Sequence, residues 1–190
     1  GAPFEMFMSA DEAFVFNLAD EGRTVDRGEL YAIGRIVLFA PHGSPMKADT
    51  NFADLRAALA DGRIARFAIA NPEHAPYGRA ARDVLQHARL WDAISPSLVL
   101  GENASQAMQF AAGGGAQGGI VPWSLTKAPE VAKLGTAVLL PAQWHRPLRQ
   151  KMVLMKSAGP QAAAFHAYLG SPEARRIFVR HGFSLPGESG

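Results

Sequence analysis

The sequence contains no cysteine among its 190 residues, which excludes a disulfide-stabilised scaffold and any metal or thiol site built on cysteine. It also has no apolar run long enough to span a membrane and no segment with the pattern of a signal peptide. The 19 basic residues are scattered among 17 acidic ones, and the formal charge is only +2. Because no basic run occurs, nucleic-acid binding is not expected.

Signatures of catalysis are equally scarce. The sequence has no Gly-x-Ser-x-Gly nucleophile elbow. Gly113–Gly119 lacks the Lys-Ser/Thr pair of a phosphate-binding loop, so we interpret it as a turn. We interpret the adjacent Asp11 and Glu12 as a helix start, where the helix dipole favours acidic residues. The histidines show no metal-ligand spacing; they are His42, His74, His87, His145, His166 and His181. The sequence predicts no enzyme, no metal site and no cofactor.

What the sequence does have is a regular alternation of strands and helices. The predicted strands are Phe4–Ala10, Leu30–Pro41, Ile64–Ala70, the start of Ser97–Gly115, Gly118–Ser124, Thr136–Ala142 and Arg149–Gly159. The predicted helices are Ala10–Gly22, Thr50–Gly62, Tyr77–Leu90, the second half of Ser97–Gly115, Gly159–Ser171 and Ser171–Gly182. This alternation predicts an α/β fold with mainly parallel sheets.

One strand–loop–helix corner stands out in the stretch AIANPEHAPYGRAARDVLQHARLWD, residues 68–92. An apolar strand runs into Asn71-Pro72, and a helix opens at Tyr77 without any nucleophile, metal ligand or acid–base pair. A similar corner follows at Asn103. Because the first N–H groups of a helix have no partner within the helix, such a corner can itself bind an anion.

Four blocks in fixed order make the sequence similar to a known family: GAPFEMFMSAD (residues 1–11), NPEHAPYGRAARDVL (71–85), GENASQAMQF (101–110) and SPEARRIFVRHGFSLPG (171–187). On these blocks the chain resembles the periplasmic molybdate-binding proteins of ABC transporters. The resemblance implies a two-lobed, type II periplasmic-binding-protein-like α/β fold. Residues 1–36 and 152–190 would form the first lobe, and residues 37–151 the second. The chain would cross between lobes near Gly34–Leu38 and Gln150–Val153.

The resemblance also indicates that a strand–helix–strand unit found before the first block in the family is absent here. We therefore expect the first lobe to be incomplete. The family implies a monomer for the complete protein, whereas an incomplete lobe would expose a sheet edge and favour self-association. We also expect the 190 residues alone to bind molybdate weakly, because the facing hydroxyl loops of the first lobe would be missing.

By resemblance, the ligand contacts are the backbone N–H groups of Tyr77 and Ala104, with Ser105 as a further contact. Asn103 is predicted to support them as the helix N-cap. Two alternatives stay open: Tyr77 as a residue that only packs on its own helix, and Ser105 as a solvated first-turn serine. Some family members have a tyrosine hydroxyl where this chain has Pro122, which cannot donate a hydrogen bond. Trp123 and Ser124 are the alternative donors.

The predicted function is capture of a tetrahedral oxyanion, molybdate or tungstate, by a periplasmic binding protein that hands it to an ABC permease after its lobes close. Sulfate is not excluded, since the choice among oxyanions depends on pocket size. A second hypothesis is an oxyanion-sensing effector domain of a transcriptional regulator, which would carry a DNA-binding segment before Gly1. A third is a small hydrolase, which the missing catalytic motifs argue against.

Overall fold

The structure is a computed structural model that describes residues 3–187. Its strands are β1 (Met6–Ser9), β2 (Glu29–Gly34), β3 (Ile36–Pro41), β4 (Phe67–Ala70), β5 (Leu98–Gly101), β6 (Gly119–Pro122), β7 (Gly135–Leu139) and β8 (Leu148–Leu154). Its helices are α1 (Glu12–Asp20), α2 (Ala53–Ala60), α3 (Pro76–His87), α4 (Trp91–Ile94), α5 (Ala104–Ala112), α6 (Trp123–Thr126), α7 (Pro129–Ala132), α8 (Pro160–Leu169) and α9 (Pro172–Arg180). The predicted α/β class is confirmed.

The chain forms two compact units. The first consists of Gly1–Gly34 with Leu148–Gly190, and the second of Arg35–Pro147. The two lobe boundaries predicted from the sequence, after residues 36 and 151, lie slightly later in the chain than the boundaries of these units. The assignment of these units to the two lobes of a binding protein stays a prediction.

The first unit contains an antiparallel sheet in the order β1-β8-β2. The central strand β8 pairs with β1 on one side and β2 on the other, and the side chains of Met152 and Val153 are buried in it. The predicted crossing near Gln150–Val153 is therefore wrong. These residues lie inside the sheet of the first unit, and the boundary between the units is at Pro147–Leu148.

The second unit contains a mixed sheet in the order β5-β4-β6-β3-β7. Strand β4 is parallel to both β5 and β6, whereas β3 is antiparallel to both β6 and β7. The expectation of mainly parallel sheets is wrong, because β3 and the whole sheet of the first unit pair antiparallel. Alternation along the sequence does not reveal this, since most paired strands are far apart in the chain.

The predicted long strand from Leu30 to Pro41 is two strands in two sheets. Strand β2 ends at Gly34 in the first unit, and β3 begins at Ile36 in the second. Both faces of the second sheet are buried at its centre: Leu38 and Phe39 on β3 and Ala68 and Ile69 on β4 are at most 1% exposed. Such all-apolar strands are typical of a sheet covered on both faces, and their buried packing fixes the positions of the strand ends.

Candidate functional site

The candidate site is the edge of the second sheet at which β4, β5 and β6 end. Because these strands are parallel neighbours, with Ala70 opposite Gly101 and Ala68 opposite Gly119, their carboxyl ends lie side by side. Each strand is followed by a helix: β4 by α3, β5 by α5 and β6 by α6. We call this the carboxyl edge. Ligand sites of open α/β sheets occur at such edges.

The corner between β4 and α3 is built around Asn71. Its N–H donates to the carbonyl of Gly101 at 2.7 Å, which ties the end of β4 to β5. Its side-chain Oδ1 accepts from the N–H of Glu73 at 3.0 Å, and its carbonyl accepts from the N–H of Ala75 at 2.9 Å. These bonds fold the loop into a turn. Helix α3 then begins at Pro76, where a proline fits because the first helical N–H has no partner within the helix.

Gly78 lets the first turn of α3 lie directly on the end of β4. A Cβ atom added at Gly78 would lie 2.2 Å from the carbonyl oxygen of Ala70, far inside van der Waals contact. Only a glycine permits this approach. Tyr77, the predicted ligand contact, therefore sits in a helix turn pressed against the strand end.

The corner between β5 and α5 has a different cap. Asn103 accepts from the N–H of Gln106 at 2.9 Å, and the side chain of Gln106 accepts from the N–H of Glu102 at 2.7 Å. This reciprocal pair resembles a capping box. The cap role predicted for Asn103 is therefore present in the structure. Ala104 and Ser105 are the first two helical residues, and their N–H groups donate to no acceptor within residues 3–187.

A histidine links the two corners. His74, in the loop before α3, has its Nε2 atom 2.9 Å from the carbonyl oxygen of Glu102 and 3.6 Å from the carboxylate of the same residue. Beneath this link, Ala75 and Ala107 belong to one buried cluster with Ala70. The structure therefore brings the starts of α3 and α5 to one sheet edge.

All four predicted site residues lie at this edge. Tyr77 is the second residue of α3, Asn103 caps α5, and Ala104 and Ser105 open α5. Neither helix carries an acidic residue in its first turn, so no carboxylate of these turns opposes an anion there. That these residues contact a ligand stays a prediction.

The third corner, between β6 and α6, offers fewer available hydrogen-bond donors than expected. Pro122 ends β6, and the N–H of Trp123 donates to the carbonyl of Arg35 at 2.9 Å. The backbone of Trp123 therefore holds β3 against β6, and its N–H is not available as an alternative donor. The indole N–H of Trp123 and the hydroxyl of Ser124, which is half-buried in α6, remain the alternative donors at this corner.

The sequence did not single out Arg35, which lies at the same edge. Strand β3 is antiparallel to β6, with Ile36 opposite Pro122, so β3 starts where β6 ends. The Arg35 guanidinium donates through Nη2 to the carbonyl of Leu140 at 3.4 Å. Burial lowers the pKa of Arg35, but an arginine remains charged at neutral pH. The only sequence signal was the Gly34-Arg35 interruption between two apolar strands.

His145 lies near Arg35 and is only 8% exposed. Burial lowers the pKa of His145, and the positive charge of Arg35 lowers it further; a hydrogen bond between Nδ1 and the carbonyl of Arg146 at 2.8 Å opposes this. Its Nε2 atom has no hydrogen-bond partner within the described residues. His145 is therefore neutral at pH 7, which leaves Arg35 as the charged member of the pair.

Two negative findings bound the chemistry of the described chain. Within residues 3–187, no group of three or more histidine, aspartate or glutamate side chains is arranged to hold a metal ion. Over the same residues, no helix has the length and apolarity needed to cross a membrane.

The cap of α5 gives a first testable prediction. We expect Asn103→Ala to lower the free energy of unfolding by about 1 kcal/mol, because the N–H of Gln106 loses its acceptor. Urea unfolding followed by circular dichroism measures this change. The control is Asn103→Asp, which keeps an acceptor oxygen and should leave stability nearly unchanged. An alanine variant as stable as the wild type would contradict the cap role.

Comparisons with known proteins agree on one family. A family model described as bacterial extracellular solute-binding protein matches residues 1–184. The molybdate-binding protein ModA of Rhodobacter capsulatus is 35% identical over 186 residues, which cover 96% of this chain and 70% of the relative. The protein of the same name from Azotobacter vinelandii is 35% identical over 97% of this chain and 72% of its own. A solved structure of the Azotobacter vinelandii periplasmic molybdate-binding protein superposes with a TM-score of 0.83 at 30% identity, covering 98% of this chain and 80% of that one.

Proposed function

The chain belongs to the family of bacterial extracellular solute-binding proteins, and we propose that it captures a tetrahedral oxyanion, molybdate or tungstate, for an ABC importer. On this proposal it catalyses no reaction and needs no cofactor, since the oxyanion is its cargo. It works in the periplasm and hands the ligand to the membrane subunits of the importer. The family match and the relatives named for molybdate binding support this proposal.

The observation that carries the proposal is the pair of helix starts at the carboxyl edge. Molybdate offers only acceptor oxygens, so its site needs several donors that point to one place. The N–H groups of Ala104 and Ser105 have no acceptor within residues 3–187, and Tyr77 opens the neighbouring helix. Helix starts attract negative charge without any cationic contact. We propose Tyr77, Ala104 and Ser105 as the ligand contacts contributed by this unit.

A second hypothesis keeps the same site but makes the domain an oxyanion sensor of a transcriptional regulator. The two hypotheses differ in what precedes Gly1 in the gene: a DNA-binding segment for the regulator, and an export signal for the transport protein. Reading the upstream coding sequence decides between them.

Titration calorimetry tests the function directly. The sample for this titration is the full polypeptide that the gene encodes, including any residues that precede Gly1; we call it the gene-encoded polypeptide. We expect saturable binding of molybdate and tungstate with a stoichiometry of one, and much weaker binding of phosphate. Sulfate is included because pocket size decides how strongly it competes. The proposal would be contradicted if neither molybdate nor tungstate gave a measurable heat of binding.

The 190-residue chain is titrated beside the gene-encoded polypeptide. We expect weaker binding by the 190 residues, following the sequence-based prediction about the first lobe. Sedimentation velocity on the same samples tests the predicted self-association of the 190 residues and the predicted monomeric state of the gene-encoded polypeptide. Assays with generic ester and phosphate-ester substrates complete the test, and we expect no turnover of either substrate.

A further inference from the structure

His145 is a buried histidine that the proposed function does not use. Its Nδ1 atom lies 2.8 Å from the carbonyl oxygen of Arg146. Because a carbonyl oxygen only accepts hydrogen bonds, Nδ1 carries the ring proton and Nε2 has a lone pair. Nε2 has no hydrogen-bond partner within residues 3–187. A second proton, added at Nε2, would therefore create a buried positive charge and a buried donor that has no acceptor among these residues.

The surroundings of His145 oppose this second proton. Burial lowers the pKa of His145 below its ordinary value of 6.5, and the positive charge of Arg35 lowers it further. The hydrogen bond to the carbonyl of Arg146 and the carboxylate of Asp83 act in the opposite direction without cancelling the effect of burial. His87, the other histidine close to this part of the chain, is exposed, so a proton on it remains in contact with water.

His145 lies in residues 141–147, which lead from the end of β7 to the last residue of the second unit. We call these residues the boundary segment. Before His145, the ring of Trp144 stacks on that of His87 in α3, with centroids 4.7 Å apart. After it, Arg146 donates to both carboxylate oxygens of Asp83 in α3, through Nε at 3.0 Å and through Nη2 at 3.3 Å. His145 therefore lies between two attachments of the boundary segment to α3.

We propose that His145 makes the attachment of the boundary segment to α3 sensitive to acid: when Nε2 takes up a proton, the imidazole leaves its buried position and the segment detaches from α3. A charged imidazole is stable in water but not in a buried position without an acceptor. The residues next to it on both sides hold the segment to α3, so movement of His145 strains both attachments. This inference does not depend on the proposed function.

The pH range follows from the direction of the pKa shift. The pKa of His145 is lower in the attached state than in the unfolded chain, so its stabilising contribution is complete above about pH 6.5 and is lost as the pH falls below that value. In that range the open state binds up to one more proton, which favours opening by up to about tenfold per pH unit. Asp83 stays ionised there: burial raises its pKa, but its hydrogen bonds to Arg146 and the nearby positive charges lower it by more.

The test compares the wild-type gene-encoded polypeptide with His145→Asn and with a control, His42→Asn. Asparagine keeps an N–H donor close to the position of Nδ1 and does not titrate. His42 is an exposed histidine of the same unit. Amide hydrogen exchange, corrected for the effect of pH on the chemical exchange rate, measures local opening of the boundary segment and of α3 between about pH 7.5 and about pH 5.5.

We expect exchange in the boundary segment of the wild type to accelerate below about pH 6.5, by up to about tenfold per pH unit, while exchange in β4 stays unchanged. His145→Asn should lose this acid dependence, and His42→Asn should keep it. As an independent arm, Asp83→Asn removes the carboxylate that Arg146 binds and should accelerate exchange in the boundary segment already at about pH 7.5. This arm does not depend on whether His145→Asn folds.

Any of four outcomes would overturn the inference. One is a wild-type acid dependence in His145→Asn. Another is an acid-induced acceleration that is uniform across the second unit, which indicates global unfolding. The third is unchanged exchange of the boundary segment in Asp83→Asn. The fourth comes from an NMR titration of the wild-type imidazole, in which a midpoint for His145 at or above about pH 6.5 would show that its buried position does not oppose protonation.

Discussion

Replacing Gly78 with alanine is expected to be the most damaging small substitution in the second unit. The added Cβ would lie 2.2 Å from the carbonyl oxygen of Ala70 and 2.7 Å from its carbonyl carbon, and both are backbone atoms that cannot rotate away. Helix α3 must therefore move off β4. Forced overpacking of this kind costs about 1–3 kcal/mol and sometimes more. Thermal and urea unfolding should show this loss. Molybdate affinity should fall as well, because Tyr77 moves with the helix.

A second glycine provides the matched control. At Gly170 the nearest atom to an added Cβ is the carbonyl oxygen of Ala167 at 3.5 Å, which is ordinary contact, and its φ of −78° suits any residue. We expect Gly170→Ala to change stability by less than about 1 kcal/mol, and toward greater stability, since alanine restricts the unfolded chain. If Gly78→Ala were as stable as the wild type, α3 would not need its close approach to β4.

The sequence predicted the local features of the site well. The helix predicted to open at Tyr77 starts one residue earlier, at Pro76, and Asn103 was identified as the cap of α5, because helix starts and caps depend on neighbouring residues only. The start of α2 was not predicted well, although it too is local. The helix was predicted to begin at Thr50, but it begins at Ala53. Its N-cap position is Phe52 in a left-handed conformation with φ of 59°, and Asp49 accepts from the N–H groups of Ala53 and Asp54. Phe52 is fully buried, so core packing overrode the usual preference.

The features that the sequence did not give depend on pairing between distant strands. The apolar pattern that begins at Leu30 resumes directly after Gly34-Arg35 and runs to Pro41, so this short interruption did not show that β2 and β3 join different sheets. The position of Arg35 at the carboxyl edge follows only from the antiparallel pairing of β3 with β6, whose residues are more than 80 positions away in the chain. A charged residue can thus lie at the same sheet edge as motif residues that are far from it in sequence.

Replacing Ala104 with proline is expected to remove one ligand donor while leaving the fold intact. Ala104 is the first residue of α5, where the N–H is not used within the helix, and four helices of the described chain already begin with proline: α3, α7, α8 and α9. A proline also requires an extended residue before it, and Asn103 has φ of −149° and ψ of 174°. We therefore expect the unfolding free energy to change by less than about 1 kcal/mol, a typical helix-cap effect.

Affinity should respond very differently from stability in this variant. A hydrogen bond to a charged group contributes about 1.5–3 kcal/mol, so loss of the Ala104 N–H should weaken molybdate binding about 10- to 100-fold in calorimetry on the gene-encoded polypeptide. Ala104→Ser, which changes the side chain at the same position but keeps the N–H, should bind nearly as the wild type does. If the proline variant also bound as the wild type does, Ala104 would not be a ligand contact. If serine and proline weakened binding equally, the side-chain volume at residue 104, and not its N–H, would determine affinity.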